Sequence, residues 1–228
     1  MRLGIKLQQQ RFVNDVSHEL RTPLTIIRGY ADLLEVCGAN DPELFKEAVT
    51  SIKKSAQNMQ SLVESLLFLA RADQEHQPLT KVPVDFDELL KRFVESYHSP
   101  RIQISKLAPC KILADAEFIK KMLAAFLDNA LCYSPSDTVV KIELTAQKDS
   151  ATLKFIDCGI GIAPEDVDKV FDRFYRTDKS RTKLSDEENS VGLGLSVAKW
   201  IADRHNIKIK IKSKLGEGSV FTLKIPTL

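Results

Sequence analysis

Cysteine is scarce in this 228-residue chain, and Cys37, Cys110, Cys132 and Cys158 form no CxxC pair and have no histidine at metal-ligand spacing. That scarcity argues against a structural zinc site and a disulfide framework, and fits free thiols in a reducing compartment. Long apolar runs are missing too: none approaches the ~20 residues that cross a bilayer, and no secretory signal opens the sequence. A cytoplasmic segment is expected, with any membrane attachment supplied only by segments outside this sequence. Charge of one sign is lacking as well, since 33 basic against 31 acidic residues leave +2. That bias is too small to imply nucleic-acid or membrane binding from composition alone. Low-complexity tracts and internal repeats are absent, which leaves an ordinary folded protein of one or two domains.

What is present begins with helical periodicity. Phe12, Val16, Leu20, Leu24, Ile27, Ala31 and Leu34 recur every three or four residues and form one apolar stripe. A second series, Phe45, Val49, Ile52, Ala56, Met59, Val63, Leu66 and Ala70, alternates spacings of four and three, as a coiled-coil seam does. Between them Gly38 stops one helix and Asp41-Pro42 opens the next. The pattern predicts a helical hairpin too short to bury both stripes alone, so a second copy is expected to complete a dimeric four-helix bundle, the alternative being a monomeric hairpin covered by the following domain.

Residues 74–84 read as polar linker, interrupted by Pro78 and Pro83. Beyond it come an amphipathic helix carrying Phe86, Leu89, Leu90, Phe93, Val94 and Tyr97, a short strand near 102–107, and a helix over 115–133. Strands are predicted at 139–145, 152–157, 207–212 and 220–225. Ile207, Ile209 and Ile211 alternate with Lys208, Lys210 and Lys212, the mark of a sheet with one wet face. The expected organisation is a hairpin domain over 1–76, with 1–10 as an entering linker helix. A linker over 77–84 and an α+β two-layer sandwich over 85–228 follow.

Several residues carry chemistry. His18, in Ser17-His18-Glu19-Leu20-Arg21-Thr22-Pro23-Leu24, lies off the apolar stripe, where a neutral imidazole can offer its lone pair to a phosphoryl group. Glu19 can accept the other ring proton, and Thr22, one turn on, can orient a water. A solvated surface histidine is the plain alternative. Asp157-Cys158-Gly159-Ile160-Gly161 ends a strand with an acid and two glycines that let backbone approach a flat ligand. A simple strand-ending turn gives the same pattern. Gly192-Leu193-Gly194-Leu195-Ser196 opens a helix whose free amides can hold phosphate, or is only a flexible helix start. Residues 175–191 between them are polar, as in a mobile lid. Asp128-Asn129-Ala130 offers an amide oxygen to a hard cation, or is surface polarity.

In this order the motifs resemble those of the sensor histidine kinases of two-component signalling, over about Gln8 to Pro226. His18-Glu19-Leu20-Arg21-Thr22-Pro23 resembles the phosphoacceptor box and Asp128-Asn129-Ala130 the N box. Asp157 to Gly161 is similar to the G1 box, Phe171-Asp172-Arg173-Phe174-Tyr175-Arg176 to the F box, and Gly192 to Leu195 to the G2 box. The resemblance implies the histidine kinase/gyrase ATPase type of sandwich, binding ATP and Mg²⁺. It implies that His18 takes the γ-phosphoryl group and passes it to the receiver domain of a response regulator, with Glu19 as acid-base neighbour. Asn129 would hold Mg²⁺, Asp157 the adenine amine, and Tyr133 would stack on adenine. Gly159, Gly161, Gly192, Gly194 and Leu195 would line the nucleotide site, and Arg176 would reach the phosphates. Thr22 matches a position that assists regulator dephosphorylation. A homodimer with no nucleic-acid partner is implied, forming the cytoplasmic portion of a protein whose full length can be anchored in the inner membrane. Three departures stand out: Ala125 where the family commonly has Asn, Cys132 where it often has Lys or Arg, and Ser190 in place of an extra glycine. They leave open a weak or inactive kinase acting mainly as phosphatase or docking scaffold. An ATP-driven clamp of the gyrase and chaperone type remains a third reading.

Overall fold

The computed structural model describes residues 2–37, 41–73, 78–177 and 192–228. The chain divides into two compact units, Met1–Leu67 and Phe68–Leu228. The glycine turn at 38–40, the side chain of Phe12, and Ser190 with most of the expected lid lie outside the described residues.

In the first unit, α1 (Arg2–Cys37) and α2 (Pro42–Asp73) form the hairpin. Asp41 starts α2 by accepting the amides of Glu43 and Leu44, both at 3.1 Å on Oδ1, while Pro42 brings no amide that needs an acceptor. Pro23 is buried inside α1, where its missing N–H removes one helical bond just past His18. On α2 the buried line is Ala48, Ser55 and Leu62, spaced by seven, and Tyr30 Oη donates across the hairpin to Glu47 Oε1 at 3.1 Å. The predicted seam flanks that line and stays partly open, with Phe45 47% and Val63 44% exposed. Small residues at 48 and 55 take the contact within the hairpin because they let helix axes come close, and the larger seam residues are left over.

The second unit is built on a five-stranded sheet in the order β2-β4-β5-β7-β6. Its strands are β2 (Ile102–Leu107), β4 (Val140–Gln147), β5 (Ser150–Asp157), β6 (Lys208–Lys214) and β7 (Gly218–Pro226). The β2–β4 pair is parallel and every other pair antiparallel. Strict alternation buries Ala151, Leu153, Phe155 and Asp157 of β5, and Phe221, Leu223 and Ile225 of β7, on one face. Helices α4 (Ala116–Tyr133) and α5 (Gly194–Arg204) pack with that core; Phe126 of α4 lies 5.7 Å from Phe155 and 5.4 Å from Phe221, centroid to centroid. The last turns of α2 belong to this unit, where Phe68 meets Phe118 and Trp200 edge-on at 5.7 and 5.1 Å.

A second, two-stranded sheet pairs β1 (Val82–Asp85) with β3 (Lys111–Ala114), leading into and out of the region of α3 (Phe86–Glu95). Residues 82–84 are therefore strand where linker was expected. Pro83 is tolerated because a two-stranded ribbon leaves each strand an outer edge with no donor required. The stretch before it is also tied down: Thr80 N donates to Asp115 Oδ2 at 3.0 Å and Lys81 Nζ to Arg204 O at 2.6 Å.

Asp115 caps α4 through Glu117 N and Phe118 N, and its own amide donates to Nε2 of buried His205 at 3.1 Å. Nδ1 of that ring faces Ile201 O at 2.8 Å, so the neutral Nδ1–H tautomer satisfies both neighbours and a second proton would displace the Asp115 amide. Burial holds the His205 imidazole below its ordinary range, with Lys81 acting in the same sense and the Ile201 carbonyl and Asp115 opposing. The folded state thus binds this proton less readily than the unfolded chain. Stability should rise with pH from the depressed value up to about 6.5 and be lost as pH falls through that window. Urea midpoints compared at mildly acidic and neutral pH should show a steeper acid loss for the parent than for His205→Gln, and equal slopes would contradict the assignment.

Candidate functional site

His18 and Thr22 are exposed one turn apart on α1, with Glu19 half-buried beside them. They belong to the first unit, and the glycine motifs to the second.

The glycine site is a junction of backbone. Asp157, at the end of β5, is 6% exposed, and its Oδ1 accepts Gly159 N at 2.8 Å and Ser219 N at 3.1 Å. Both bonds fall on one oxygen, leaving Oδ2 to accept from a ligand amine. Burial pushes the carboxyl above its ordinary range, and the two amides pull it back. Gly161, at φ +70°, passes so close that a Cβ would sit 2.0 Å from Lys214 O. At Gly218, φ +95°, a Cβ would sit 2.1 Å from Asp157 O. Gly159 is closed to a side chain by Tyr133 O at 2.7 Å. The loop after β5 is also stitched to its surroundings. Ile160 N donates to Tyr133 O at 3.2 Å, Gly216 N to Ile160 O at 2.8 Å, and Ile162 N to Ser213 Oγ at 2.7 Å.

Arg101 braces the far side of Tyr133. Its Nη2 donates to Leu131 O, Ser134 O and Pro135 O at 3.3, 3.2 and 2.9 Å, and Nε to Thr138 O at 3.3 Å. A guanidinium at a helix C-terminus satisfies carbonyls that have no intrahelical donor and meets the negative end of the dipole. Sequence reading missed Arg101, Ser213 and Gly218, since each acts on backbone distant in the chain. The β6–β7 turn at 216–218 with its two glycines was the one available signal for Gly218.

At the other end, Ala125, Asn129 and Cys132 share a face of α4, all half-buried. That face abuts the start of α5, where a Cβ on Gly194 would lie 3.7 Å from the Ala125 methyl carbon. The first α5 bond runs from Val197 N to Leu193 O at 3.0 Å, so the amides of Gly194, Leu195 and Ser196 have no intrahelical acceptor. Gly192, at φ +72°, lies against residues 174 and 175, and its carbonyl accepts Phe174 N at 3.0 Å. This bond brings the predicted F box to the start of α5. Two residues on, Arg176 keeps a buried Nε with no hydrogen-bond partner among the described residues, a donor that suits an anionic ligand. Tyr97 Oη donates to Asp128 Oδ1 at 2.8 Å, tying the residue before Asn129 to the end of α3; burial first, then the Asp128 charge, raises that phenol well above its usual range.

The donor set suits a nucleoside triphosphate: an acceptor for a ring amine at Asp157, helix-start amides, and the free Nε donor of Arg176. No group of three or more His, Cys, Asp or Glu among the described residues could hold a metal alone. Mg²⁺ fits here only as an ion bound by the Asn129 amide oxygen with phosphate and water, its common habit.

The comparisons agree with this geometry. The histidine kinase-, DNA gyrase B-, and HSP90-like ATPase family matches residues 114–228, and the His Kinase A (phospho-acceptor) domain matches residues 8–75. The chain therefore belongs to the sensor histidine kinases. It is 36% identical over 221 residues to the sensor histidine kinase YkoH of Bacillus subtilis, covering 95% of this chain and 47% of that protein. It is 33% identical over 221 residues to the signal transduction histidine-protein kinase ArlS of Staphylococcus aureus, covering 95% and 48%. The chain thus spans about half the length of the curated relatives it matches. Among solved structures, Acinetobacter baumannii histidine kinase AdeS aligns with TM-score 0.68 and 26% identity over 92% of this chain and 97% of that one. Histidine kinase ThkA, in complex with response regulator protein TrrA, aligns with TM-score 0.71 over 100% of this chain and 63% of that one, a likeness of fold at 22% identity.

Cys132, one turn beyond Asn129 on the side of α4 that abuts the start of α5, supplies no cation there. A charge-assisted hydrogen bond contributes about 1.5 to 3 kcal/mol, which corresponds to about ten- to a hundredfold in affinity or rate. Cys132→Lys should raise kcat/KM for autophosphorylation by about that factor, measured with labelled ATP; a variant no faster than its parent would mean that other groups already supply the charge.

Proposed function

We propose that this chain is the kinase core that phosphorylates itself on His18 from ATP and passes the phosphoryl group to an aspartate of a response regulator. The observation that carries the reading is the coexistence, in one chain, of an exposed histidine on a phospho-acceptor hairpin and an ATPase-type unit in which the buried Nε of Arg176 has no partner among the described residues. An imidazole nitrogen of His18 attacks the γ-phosphorus, the bond to the bridging β–γ oxygen breaks, and ADP leaves. Glu19 accepts the proton from the other ring nitrogen, so the phosphorylated ring is neutral. Such a transfer needs placement and charge neutralisation above all. The chain supplies these as Arg176, the amides of Gly194 and Leu195, and Asn129 with Mg²⁺. Asp157 accepts the adenine amine, Gly159, Gly161 and Gly192 let backbone close around the nucleotide, and Tyr133 stacks on the base.

The open apolar seam of α2 supports a homodimer, in which a second hairpin covers Phe45, Val63 and their neighbours. The ThkA–TrrA complex supports a response regulator receiver domain as the phosphoryl acceptor. Thr22, exposed one turn from His18, supports a phosphatase activity in which its hydroxyl positions water against the regulator's acyl phosphate. Ala125 and Cys132 favour a slow kinase.

His18→Gln should abolish acid-labile labelling from γ-labelled ATP while leaving nucleotide binding unchanged, because the two sites lie on different units; label retained on the variant would remove His18 from its role. Thr22→Ala should slow regulator dephosphorylation at least about tenfold more than autophosphorylation, as loss of a water-positioning group does. Equal losses in the two assays would exclude that role.

A further inference from the structure

The overall balance of +2 conceals a segregation of charge on the sheet. On the face opposite the helices, Lys208, Lys210 and Lys212 of β6 point outward with Lys224 of β7, Lys154 of β5 and Lys141 of β4. The register places them in three rows. Lys208 is directly opposite Lys224, Lys210 is two strands from Lys154 across Thr222, and Lys212 is three strands from Lys141 across Val220 and Ile156. Strand spacing and rise put all six within about 14 Å by 14 Å, so their fields add at physiological ionic strength. Among the described residues none of the six makes an ion pair. Lys106 and Lys214 border the patch, and the acids on it pair with them: Glu143 with Lys106 at 3.6 Å and Glu217 with Lys214.

Protection of an edge strand explains lysines on β6 but not those on β7, β5 and β4, which have neighbours on both sides. The pattern also works against the fold, because like charges placed directly opposite, as Lys208 and Lys224 are, destabilise a sheet. That direct opposition occurs once, and Lys154 faces Glu143 across β4–β5, but six lysines on one face of four strands still leave an excess of positive charge that an anionic surface would cancel. Besides the lysines the outward rows hold Thr145, Thr152, Thr222, Ile156 and Val220, with Glu143 opposite Lys154, and neither arginine nor an aromatic ring. Reading or stacking bases uses those absent groups. A broad face of flexible point charges, with an apolar Ile156–Val220 pair among them, matches a surface of laterally mobile anionic headgroups. We propose that this outer sheet face docks the second unit on an anionic lipid bilayer surface.

The test is co-sedimentation of the full chain with vesicles of phosphatidylcholine alone or mixed with about one-third phosphatidylglycerol, over a range of salt concentrations. Binding should require phosphatidylglycerol and weaken as salt rises. Each lysine near such a surface contributes about fivefold, so Lys208→Gln with Lys210→Gln and Lys212→Gln should weaken binding about a hundredfold. Lys154→Gln with Lys224→Gln, off the edge strand, should lose about 25-fold by the same rule and repeats the test if the triple variant unfolds. Lys53→Gln with Lys54→Gln, exposed on the hairpin, should bind as the parent does. Equal binding to neutral vesicles, undiminished binding by folded sheet variants, or an equal loss in the hairpin control would overturn the proposal. Duplex DNA that displaces the vesicles at equal phosphate concentration would reassign the face to nucleic acid and overturn it too.

Discussion

One carboxylate oxygen, held out of water and shared by two backbone amides, organises the nucleotide side of this protein. Oδ1 of Asp157 joins the loop after β5, through Gly159 N, to the start of β7, through Ser219 N. Charge-assisted bonds of this kind offset the cost of burying the group only while both donors stay in place. That requirement explains the crowding around it: Gly218 and Gly161 must bring backbone within van der Waals range of Asp157 and Lys214, in a conformation that side chains disfavour. The acid is thus oriented before any ligand arrives, with its second oxygen left over for recognition.

The hairpin follows the opposite logic. Its buried line on α2 is Ala48, Ser55 and Leu62, and several larger apolar groups, Phe45, Val63 and Leu67 among them, remain at the surface. In the proposed homodimer a second copy covers that open surface, and the integrity of the hairpin then depends on concentration. The phosphoacceptor candidate sits on the part with the weaker internal core. There Pro23 has already removed one helical bond, and local adjustment of α1 is correspondingly less costly.

Much of this was legible in the sequence because the signals are local. Periods of 3.6 and 2 marked both long helices and the five strands of the main sheet, and Asp157, Gly159 and Gly161 could be picked out because an acid and two glycines close a strand within five residues. What escaped is long-range. β1 and β3 are four residues each, one containing Pro83, and exist because they pair with one another across 25 or more intervening positions. Arg101 shows only a basic residue before a strand; its four carbonyl acceptors lie 30 to 37 residues away. The line 48–55–62 was hidden by a stronger neighbouring pattern, since volume decides which residues meet within one hairpin. Charge misled by averaging: a count of lysines does not say that register gathers them on one face.

The bond from Phe174 N to Gly192 O closes a ring of chain whose far side runs through residues 175–191. The ring's neck is fixed by fold, with Gly192 pressed against Phe174 and Tyr175, so the conformational entropy of closure has been met before the intervening residues are specified. Loop entropy changes slowly with length, by about 0.6 kcal/mol per doubling. Residues inserted, deleted or exchanged beyond that neck therefore leave α5 and the Asp157 junction in place. Two proteins with the same nucleotide seat can in this way differ in the length and composition of one stretch of chain without any change in the core that holds the seat.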